Sequence, residues 1–481
     1  MPVRHLRADE GFPAAIKTGF DRLCDEIGAP LEFPAEVVAE AERVASAGYD
    51  SSRTYDDLTD VPFVTIDPEG SMDLDQAMYI EKAKQGYTVL YAIADVAAWV
   101  APGGPIDAEA HRRGQTLYAP NRRFPLHPPV LSEAAASLLA DGRPRPAIVW
   151  RLDLDAHGQV TATAVTRALV VSRERLDYPT EQAKLDNGQA GPVMQLLREV
   201  GDLRQQLEVE RGGVSLNLPE QVVDTSQSGG WRLTHRSSLP NENWNAQISL
   251  MTGMAAAQVM LEAGVGILRT LPPPDREVVR QLRAVAHTLK LPWPESMSYA
   301  EFVGALDVTN PVAQAMMMSC VRLFRGAGYT VIKDGLAADQ LVHGALAANY
   351  AHTTAPLRRL VDRYVLEVCV ALSAGQPVPE WALAALPSLP DEMAESDRRA
   401  KAFERGITDL VEALVLSDKV GQVFTGVVIQ VDDKREDQGI VSIVEPAIEA
   451  RVSGDLELGD EARVRLVKAD PVEGKVGFEV A

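Results

Sequence analysis

The sequence predicts an α+β protein in three parts: a helical N-terminal segment over residues 1–55, a large mixed α/β domain over 56–418 and a small β-barrel over 419–481. Three observations predict this order. Apolar residues recur at helical spacing near the N-terminus, β-rich and helical segments are mixed through the middle of the chain, and five strand-like segments follow at its end. With 481 residues and 46% hydrophobic content, the chain has room for about three domains and a sizeable core.

The N-terminal segment predicts two short helices. The second, PAEVVAEAERVASAG, has Pro34 at its start and Gly48 just past its end, and these residue types are typical of helix termini. Two such helices suit a helix-turn-helix, but the positive charge is scattered rather than gathered on the second helix. Two interpretations stay open, a helix-turn-helix or a pair of helices that pack against the rest of the protein.

The middle region begins with three β-rich segments, FVTI, DLDQAMYI and YTVLYAIADV. Helical patterns then dominate between Gly191 and Gly375. A long helix, ESDRRAKAFERGITDLVEALVL, leads to five strand-like segments, QVFTGVVIQV, GIVSIVE, IEARVSG, EARVRLVKAD and KVGFEVA. Five strands of that length predict a small barrel of the OB type.

The composition excludes several classes of protein. Lys and Arg total 47 against 68 Asp and Glu, a net charge of −21, which excludes a wholly basic protein that coats nucleic acid. Cys24, Cys320 and Cys369 lie far apart without a CxxC pair, which argues against a disulfide framework and a zinc ribbon. Neither a signal peptide nor a membrane-spanning run is evident, so we expect a cytoplasmic monomer without membrane attachment or organic cofactor.

The segment TIDPEGSMDLDQAM, from Thr65 to Met78, gathers Asp67, Asp73 and Asp75 behind a short apolar strand. On an extended segment, the i, i+2 spacing of Asp73 and Asp75 directs both to one face, and the bend after Asp67 brings that carboxylate beside them. Clustered carboxylates suit Mg²⁺ or Mn²⁺ that holds phosphate oxygens. Taken alone, such a segment is more often a solvated acidic turn.

Three further segments follow the acidic one: IDAEAHRRGQTLYAPNRRFPLHPPVLSE, YAHTTAPLRR and AFERGITD. In this order, the four segments resemble the signatures of the ribonuclease II and ribonuclease R family of RNB-domain exoribonucleases. The C-terminal barrel occupies the place of that family's RNA-binding OB domain. The resemblance covers roughly residues 55 to 480 and implies an RNB-type catalytic domain.

By this resemblance, Asp67, Asp73 and Asp75 form the acidic centre, with Asp75 matching the carboxylate most directly tied to catalysis. Arg358 matches the arginine that holds the reacting phosphate. The resemblance also implies functional roles for Arg359 as an assisting cation, Tyr118 near the terminal nucleotides, Glu404 near a 2′-hydroxyl and Tyr178 on the RNA channel. Separately, local positive charge predicts a track for the RNA backbone, with Arg122 as an RNA-binding residue, along Arg112-Arg113, Arg122-Arg123, Arg143-Arg145 and Arg398-Arg399-Lys401.

The chain also departs from the family pattern. Gln76 stands where the last aspartate of the acidic group is usual, so a neutral amide oxygen takes the place of one anionic metal ligand. Ala92 replaces a histidine, Gln247 replaces a glutamate and Ala355 replaces a serine. The segment before Asp60 is too short for the two cold-shock-type barrels that typically precede the catalytic domain.

The hypothesis is a metal-dependent 3′→5′ exoribonuclease that hydrolyses single-stranded RNA to 5′-nucleoside monophosphates with Mg²⁺ or Mn²⁺. Asp67, Asp73, Asp75 and Gln76 are the predicted metal ligands. One alternative, motivated by Gln76 and Ala92, is a catalytically weak RNA-binding protein that keeps the fold. A nucleotide-sugar transferase built on the D-x-D of Asp73 and Asp75 needs a nucleotide-binding α/β half, which the sequence does not reveal.

Overall fold

The structure is a computed structural model, and it describes residues 14–29, 32–119, 122–215, 220–224, 232–273, 275–307, 310–324, 326–432, 435–443 and 445–481. The helices described are α1 (Ala14–Ile27), α2 (Ala35–Ala47), α3 (Pro105–Arg113), α4 (Tyr178–Asp186), α5 (Pro192–Glu210), α6 (Pro240–Ala263), α7 (Arg276–Thr288), α8 (Tyr299–Gly304), α9 (Pro311–Cys320), α10 (Leu360–Ser373), α11 (Glu380–Ala385) and α12 (Leu389–Leu416). The strands are β1 (Asp56–Asp67), β2 (Gln76–Ala83), β3 (Gly86–Ala94), β4 (Leu117–Ala119), β5 (Arg122–Phe124), β6 (Arg145–Leu154), β7 (Val160–Asp177), β8 (Glu220–Asp224), β9 (Arg232–Arg236), β10 (Ile267–Thr270), β11 (Gly328–Val331), β12 (Val342–His343), β13 (Ala348–Asn349), β14 (Val423–Asp432), β15 (Arg435–Ile443), β16 (Ile448–Ser453), β17 (Glu461–Asp470) and β18 (Lys475–Val480).

Five strands in the first half of the chain close into a barrel in the order β1-β2-β3-β6-β7. Neighbouring strands are antiparallel except β1 and β7, which run parallel and close the barrel. The register of that parallel pair ends with Asp67 opposite Asp177. Both strands therefore deliver their last residues, and the segments that follow them, to the same edge of the barrel.

Alternating side chains of these strands enter two different hydrophobic clusters, as the period of two in a strand requires. Met78, Tyr91 and Trp150 pack with residues of α6 and α10 in the larger cluster. On alternate positions, small residues such as Ala92 and Val149 pack in a cluster that includes α2. The barrel is thus held between the helical part of the domain and the N-terminal segment.

The N-terminal helices pack against the body of the protein. Ile16 and Phe20 of α1 are each 1% exposed and belong to the same hydrophobic cluster as Phe403 of α12. On α2, Val37 and Ala41 are buried in the same cluster as Ala92 and Val149 of the first barrel. Both N-terminal helices therefore pack against other parts of the protein, as the second of the two interpretations expects.

The C-terminal strands form a second closed barrel in the order β14-β15-β16-β18-β17. The predicted β-barrel is confirmed, and each of the five strand-like segments supplies one strand. The 28-residue helix α12 packs against β17 and β18 and joins this barrel to the larger domain. Among the helices that the structure describes, none has the length and apolar character needed to cross a membrane.

Candidate active site

The acidic loop connects β1 to β2 at one edge of the larger barrel. Asp67 is the last residue of β1, and Gln76 is the first residue of β2. Ser137 fixes the loop between them, because its hydroxyl donates to the Met72 carbonyl at 2.6 Å and accepts from the Leu74 amide at 3.0 Å. The loop that carries the predicted catalytic carboxylates is therefore tied to the body of the domain on both sides of Asp73.

Asp75 is buried, with 3% of its surface exposed, and it contacts the segment Tyr350–Arg359. The backbone amide of Leu357 donates to Oδ1 of Asp75 at 2.7 Å, and Nε of Arg358 lies 3.5 Å from Oδ2. The two segments are 282 positions apart in the chain. Folding thus brings the predicted catalytic carboxylate and the predicted phosphate-binding arginine into direct contact.

Burial governs the charge of both inner carboxylates. It raises the pKa of Asp67 to about 7, while the Arg358 cation opposes that shift and the Asp73 charge adds to it. Burial also raises the pKa of Asp75 well above its usual value, and Arg358 again opposes the shift. Oδ2 of Asp67 is buried and accepts no hydrogen bond from the described residues. Two carboxylates in this setting favour a proton or a cation beside them.

Asp73 has partners of its own on the β4-β5 hairpin. Arg123 donates to its Oδ1 at 2.6 Å, and the hydroxyl of Tyr118 approaches its Oδ2 at 3.4 Å. Asp73 and Asp75 precede β2, which begins only at Gln76, so they lie on the loop rather than on a regular strand, and the Asp73 charge still raises the pKa of Asp75. Asp73 faces the β4-β5 hairpin, whereas Asp75 faces the segment that carries Arg358.

The donor set fits a divalent cation only in part. Among the described residues, no three His, Cys, Asp or Glu side chains are arranged as a metal-binding group. Arg123 already binds the carboxylate of Asp73. The amide nitrogen of Gln76 donates to the Thr354 carbonyl, so Oε1 of Gln76 is the atom of that side chain able to coordinate an ion. The unpartnered oxygen of Asp67 and the nearby Asp75 fit the way Mg²⁺ is usually held, by one or two carboxylates together with substrate phosphate.

The remaining predicted site residues lie on different elements. Arg359 donates to both carboxylate oxygens of Asp362, at 2.9 and 2.7 Å. The charge of Arg359 is therefore paired with a carboxylate at the start of the helix that follows it. The hydroxyl of Tyr178 accepts a hydrogen bond from Asn245 at 2.8 Å. Burial raises the pKa of Tyr178, and the nearby Asp67 charge raises it further, which places this tyrosine beside the acidic loop.

Glu404 is half-buried on α12, the helix that also packs against β4, the strand that carries Tyr118. Arg122 pairs with Ala119 across the β4-β5 hairpin, but its side chain lies outside the described part of the structure. The structure therefore brings Asp67, Asp75 and Arg358 together and places Tyr178 beside them. It places Glu404 on a neighbouring helix.

In the segment IDAEAHRRGQTLYA, the charged residues before Tyr118 make structural contacts. Arg113 is 2% exposed and donates to Glu109 at 2.6 Å. The prediction that Arg112 and Arg113 both line a surface track for RNA is therefore wrong for Arg113. The backbone amide of Thr116 donates to the Arg358 carbonyl at 3.0 Å. That contact joins the strand of Tyr118 to the segment that carries Arg358.

Three of the departures from the family pattern have local explanations. Ala92 is fully buried opposite Ala77 and packs in an apolar cluster with Ala94 and Ala147. Gln247 donates to the buried carboxylate of Glu208, as a glutamate in the same place cannot. Ala355 serves through its backbone amide, which donates to Asp362 at 2.7 Å and requires no hydroxyl.

Two arginines near the acidic loop are absent from the predicted acidic centre, although Arg123 belongs to one of the basic pairs predicted to form the RNA track. Arg123 connects Asp73 to Glu133, to which it donates at 2.8 Å. Arg175 is exposed on β7 and lies close enough to Asp67 to lower that carboxylate's pKa against the effect of burial. The excess of carboxylates in the loop is the sequence signal that such cations are needed, but it does not say which of the 47 basic residues supply them.

Comparison with known protein families gives two matches that together span most of the chain. The RNB domain matches residues 55–373, and the RNase II-type exonuclease C-terminal S1 domain matches residues 422–481. Ribonuclease R from Escherichia coli is 26% identical over 88% of this chain. Ribonuclease R from Aquifex aeolicus is 25% identical over 98% of it. The chain spans 57% of the length of the first relative and 71% of the second.

Solved structures show the same fold. Mycoplasma genitalium RNase R in complex with ribose-methylated single-stranded RNA superposes with a TM-score of 0.85 and 19% identity, over 98% of this chain and 79% of that one. Yeast Ssd1, described as a pseudonuclease, superposes with a TM-score of 0.70 and 16% identity, over 94% of this chain and 58% of its own. The α+β architecture predicted from the sequence is confirmed.

Proposed function

This chain belongs to the RNB domain family, and from that premise we propose that it is a metal-dependent 3′→5′ exoribonuclease that hydrolyses single-stranded RNA to 5′-nucleoside monophosphates. The observation that carries the proposal is the contact of Asp75 with the Leu357 amide and the Arg358 guanidinium. It assembles a buried carboxylate and a phosphate-binding cation from two family segments that lie far apart in the chain.

Arg358 is suited to receive the reacting phosphate. Its Nε lies 3.5 Å from Asp75, which is longer than a charge-assisted hydrogen bond, and 32% of its side chain is exposed. The planar guanidinium therefore keeps donors available for two phosphate oxygens. The Leu357 amide holds Asp75 in place, so the carboxylate does not move when Arg358 engages the substrate. These residues orient the phosphate and stabilise the negative charge that develops on it.

Nucleases of this family generally depend on a divalent metal. We propose Mg²⁺, with Mn²⁺ as the alternative ion, held by Asp67 and Asp75 with Asp73 and Oε1 of Gln76 as further donors. When bound, an ion of this kind would lower the pKa of an attacking water and would place positive charge beside the phosphate oxygens. Burial raises the pKa of Asp67 to about 7, and a divalent cation beside this carboxylate would favour its charged form.

The other predicted residues are assigned to the RNA strand. Tyr118 stacks on or hydrogen-bonds the terminal nucleotide, Tyr178 lines the channel beside Asp67, and Glu404 accepts from a 2′-hydroxyl. Arg359 supports the segment of Arg358 through Asp362, and Arg122 contacts the RNA backbone. The C-terminal barrel, an S1-type domain, binds the strand outside the channel.

The direct test uses single-stranded RNA labelled at its 5′ end, incubated with the purified protein and Mg²⁺, Mn²⁺ or chelator. The proposal predicts a series of labelled products that shorten with time only when metal is present, because nucleotides leave from the unlabelled 3′ end. A second RNA labelled at its 3′ end should release a labelled mononucleotide at once. Internal fragments, or release of the 5′ label as a mononucleotide, would overturn the proposal.

A further inference from the structure

Arg175 lies on the same face of the larger barrel as the acidic loop. In the parallel register of β1 and β7, Thr65 pairs with Arg175 and Asp67 pairs with Asp177. Side chains at every second position of a strand share one face, and paired residues on adjacent strands point the same way. The side chain of Arg175 therefore stands on the face of Asp67, two pairs before the last pair of the two strands.

The guanidinium of Arg175 extends over the acidic loop. Its Nη1 lies 3.7 Å from the sulfur of Met72, which is a weak acceptor and carries no charge. Met72 is itself 36% exposed, so this contact lies at the surface of the loop rather than beneath it. The Arg175 charge also reaches Asp67, whose pKa it lowers against the effect of burial.

The other cations around the loop have protein partners, and Arg358 is in addition assigned to the reacting phosphate. Arg123 binds Asp73 and Glu133, Arg358 contacts Asp75, and Arg359 binds Asp362. On β7 itself, the exposed Arg173 donates to the Thr59 carbonyl at 2.5 Å. Among the arginines of the described loop surroundings, Arg175 thus combines an exposed guanidinium with the weakest partner, a thioether.

We propose that Arg175 binds a phosphate of the RNA strand next to the scissile one and so helps to position the strand at Asp67. The inference rests on the proposed exoribonuclease function and adds a positioning residue to it. An exposed fork of donors beside the acidic loop is suited to a phosphate oxygen, and it offsets the repulsion between the RNA backbone and the loop carboxylates. Arg358 contacts Asp75, whereas the guanidinium of Arg175 contacts Met72 at the surface of the loop, so Arg175 acts on binding and not on the chemical step.

The test compares the full-length protein with its Arg175→Ala and Arg175→Gln variants. Affinity for a fluorescent single-stranded RNA is measured in chelator at several salt concentrations, and kcat and KM are measured with Mg²⁺. We expect each variant to bind about fivefold more weakly, to lose about 0.7 from the slope of log affinity against log salt, and to keep kcat within about threefold. Arg173→Ala, which removes a neighbouring exposed charge that has a backbone partner, is the matched control and should leave the slope unchanged.

RNA with a neutral methylphosphonate at one position locates the contact. The wild type should lose affinity when the phosphate next to the scissile one is neutralised, and Arg175→Ala should show no further loss at that position. Unchanged affinity and slope in both variants, or a fall in kcat with unchanged affinity, would overturn the assignment. Shortening of RNA in chelator would contradict the metal requirement of the proposed function and not the role of Arg175.

Discussion

The side-chain amide of Gln76 donates a hydrogen bond to the backbone carbonyl of Thr354, and this contact joins the start of β2 to the segment that carries Arg358. A carboxylate at position 76 cannot make it, since an ionised carboxylate has no donor and faces the carbonyl oxygen with like charge. The residue that departs from the family pattern therefore holds together the two segments on which the proposed active site depends.

We predict that Gln76→Glu, which keeps the shape and removes the donor, lowers the free energy of unfolding by about 1–3 kcal/mol at neutral pH without metal. The added carboxylate should also make the variant gain more stability from Mg²⁺ than the wild type does. Urea unfolding with chelator and with Mg²⁺ measures both effects. Gln159→Glu, at an exposed position, is the control. Equal stability of Gln76→Glu and wild type in chelator would show that the hydrogen bond contributes nothing.

Arg113 links the N-terminal segment to the active-site hairpin. Its guanidinium donates to Glu109, to the Glu32 carbonyl at 2.8 Å and to the Pro125 carbonyl at 3.1 Å. It also lies 3.7 Å from the centre of the Phe33 ring. Arg113 thus contacts three separate segments at a buried position. Removal of its side chain would leave the buried carboxylate of Glu109 without the partner on its inner side.

We therefore predict that Arg113→Ala lowers the free energy of unfolding by about 3–5 kcal/mol, as the breaking of a buried ion pair typically does. Arg112→Ala is the matched control, because Arg112 binds the same carboxylate but its side chain is 50% exposed. That control should cost about 1 kcal/mol or less. Similar losses for the two variants, measured by urea unfolding, would contradict the assigned role of Arg113.

Glu412 makes stability depend on pH at the contact between α12 and the C-terminal barrel. Burial, followed by repulsion from Asp409 and Glu449, raises its pKa to about 8 from the usual 4.5, while Gln221 donates to it at 2.9 Å. The folded protein thus keeps a proton on Glu412 over a range in which the unfolded chain has released it. The free energy of unfolding should therefore fall as the pH rises from about 4.5 to about 8.

Glu412→Gln removes that titration and keeps an oxygen that accepts from Gln221. We predict that the variant is more stable than the wild type at pH 8, and that the difference shrinks towards pH 5. Thermal unfolding across this pH range measures the difference. Glu395→Gln, at an exposed position of the same helix, serves as the control. A constant difference at all pH values would argue that Glu412 does not titrate in this range.

Local patterns predict the elements of this fold well. Alternation and strand length predict the C-terminal barrel, and the positions of Pro34 and Gly48 mark the ends of α2 as the structure has them. The acidic loop is also visible in the sequence, because its carboxylates are contiguous. These features depend on neighbouring residues, so a single sequence contains the information.

Contacts between distant segments are predicted less completely. The approach of Arg358 to Asp75 follows from the family resemblance and not from any local pattern, since 282 positions separate Asp75 from Leu357. The pairing of Arg123 with Asp73 depends on the register of the β4-β5 hairpin, in which Tyr118 faces Arg123. The interpretation of Arg113 as a surface cation fails because burial depends on what the N-terminal segment covers.

Asp75→Asn tests the central claim most directly, because burial already favours the uncharged form of this side chain and the fold should tolerate the amide. Shortening of 5′-labelled RNA with Mg²⁺ and affinity for the same RNA in chelator are measured on the wild type and the variant. We predict that the rate of shortening falls about a hundredfold or more while the affinity stays within about threefold. A variant that degrades RNA at the wild-type rate would contradict the account, as would a wild type that binds RNA and never shortens it.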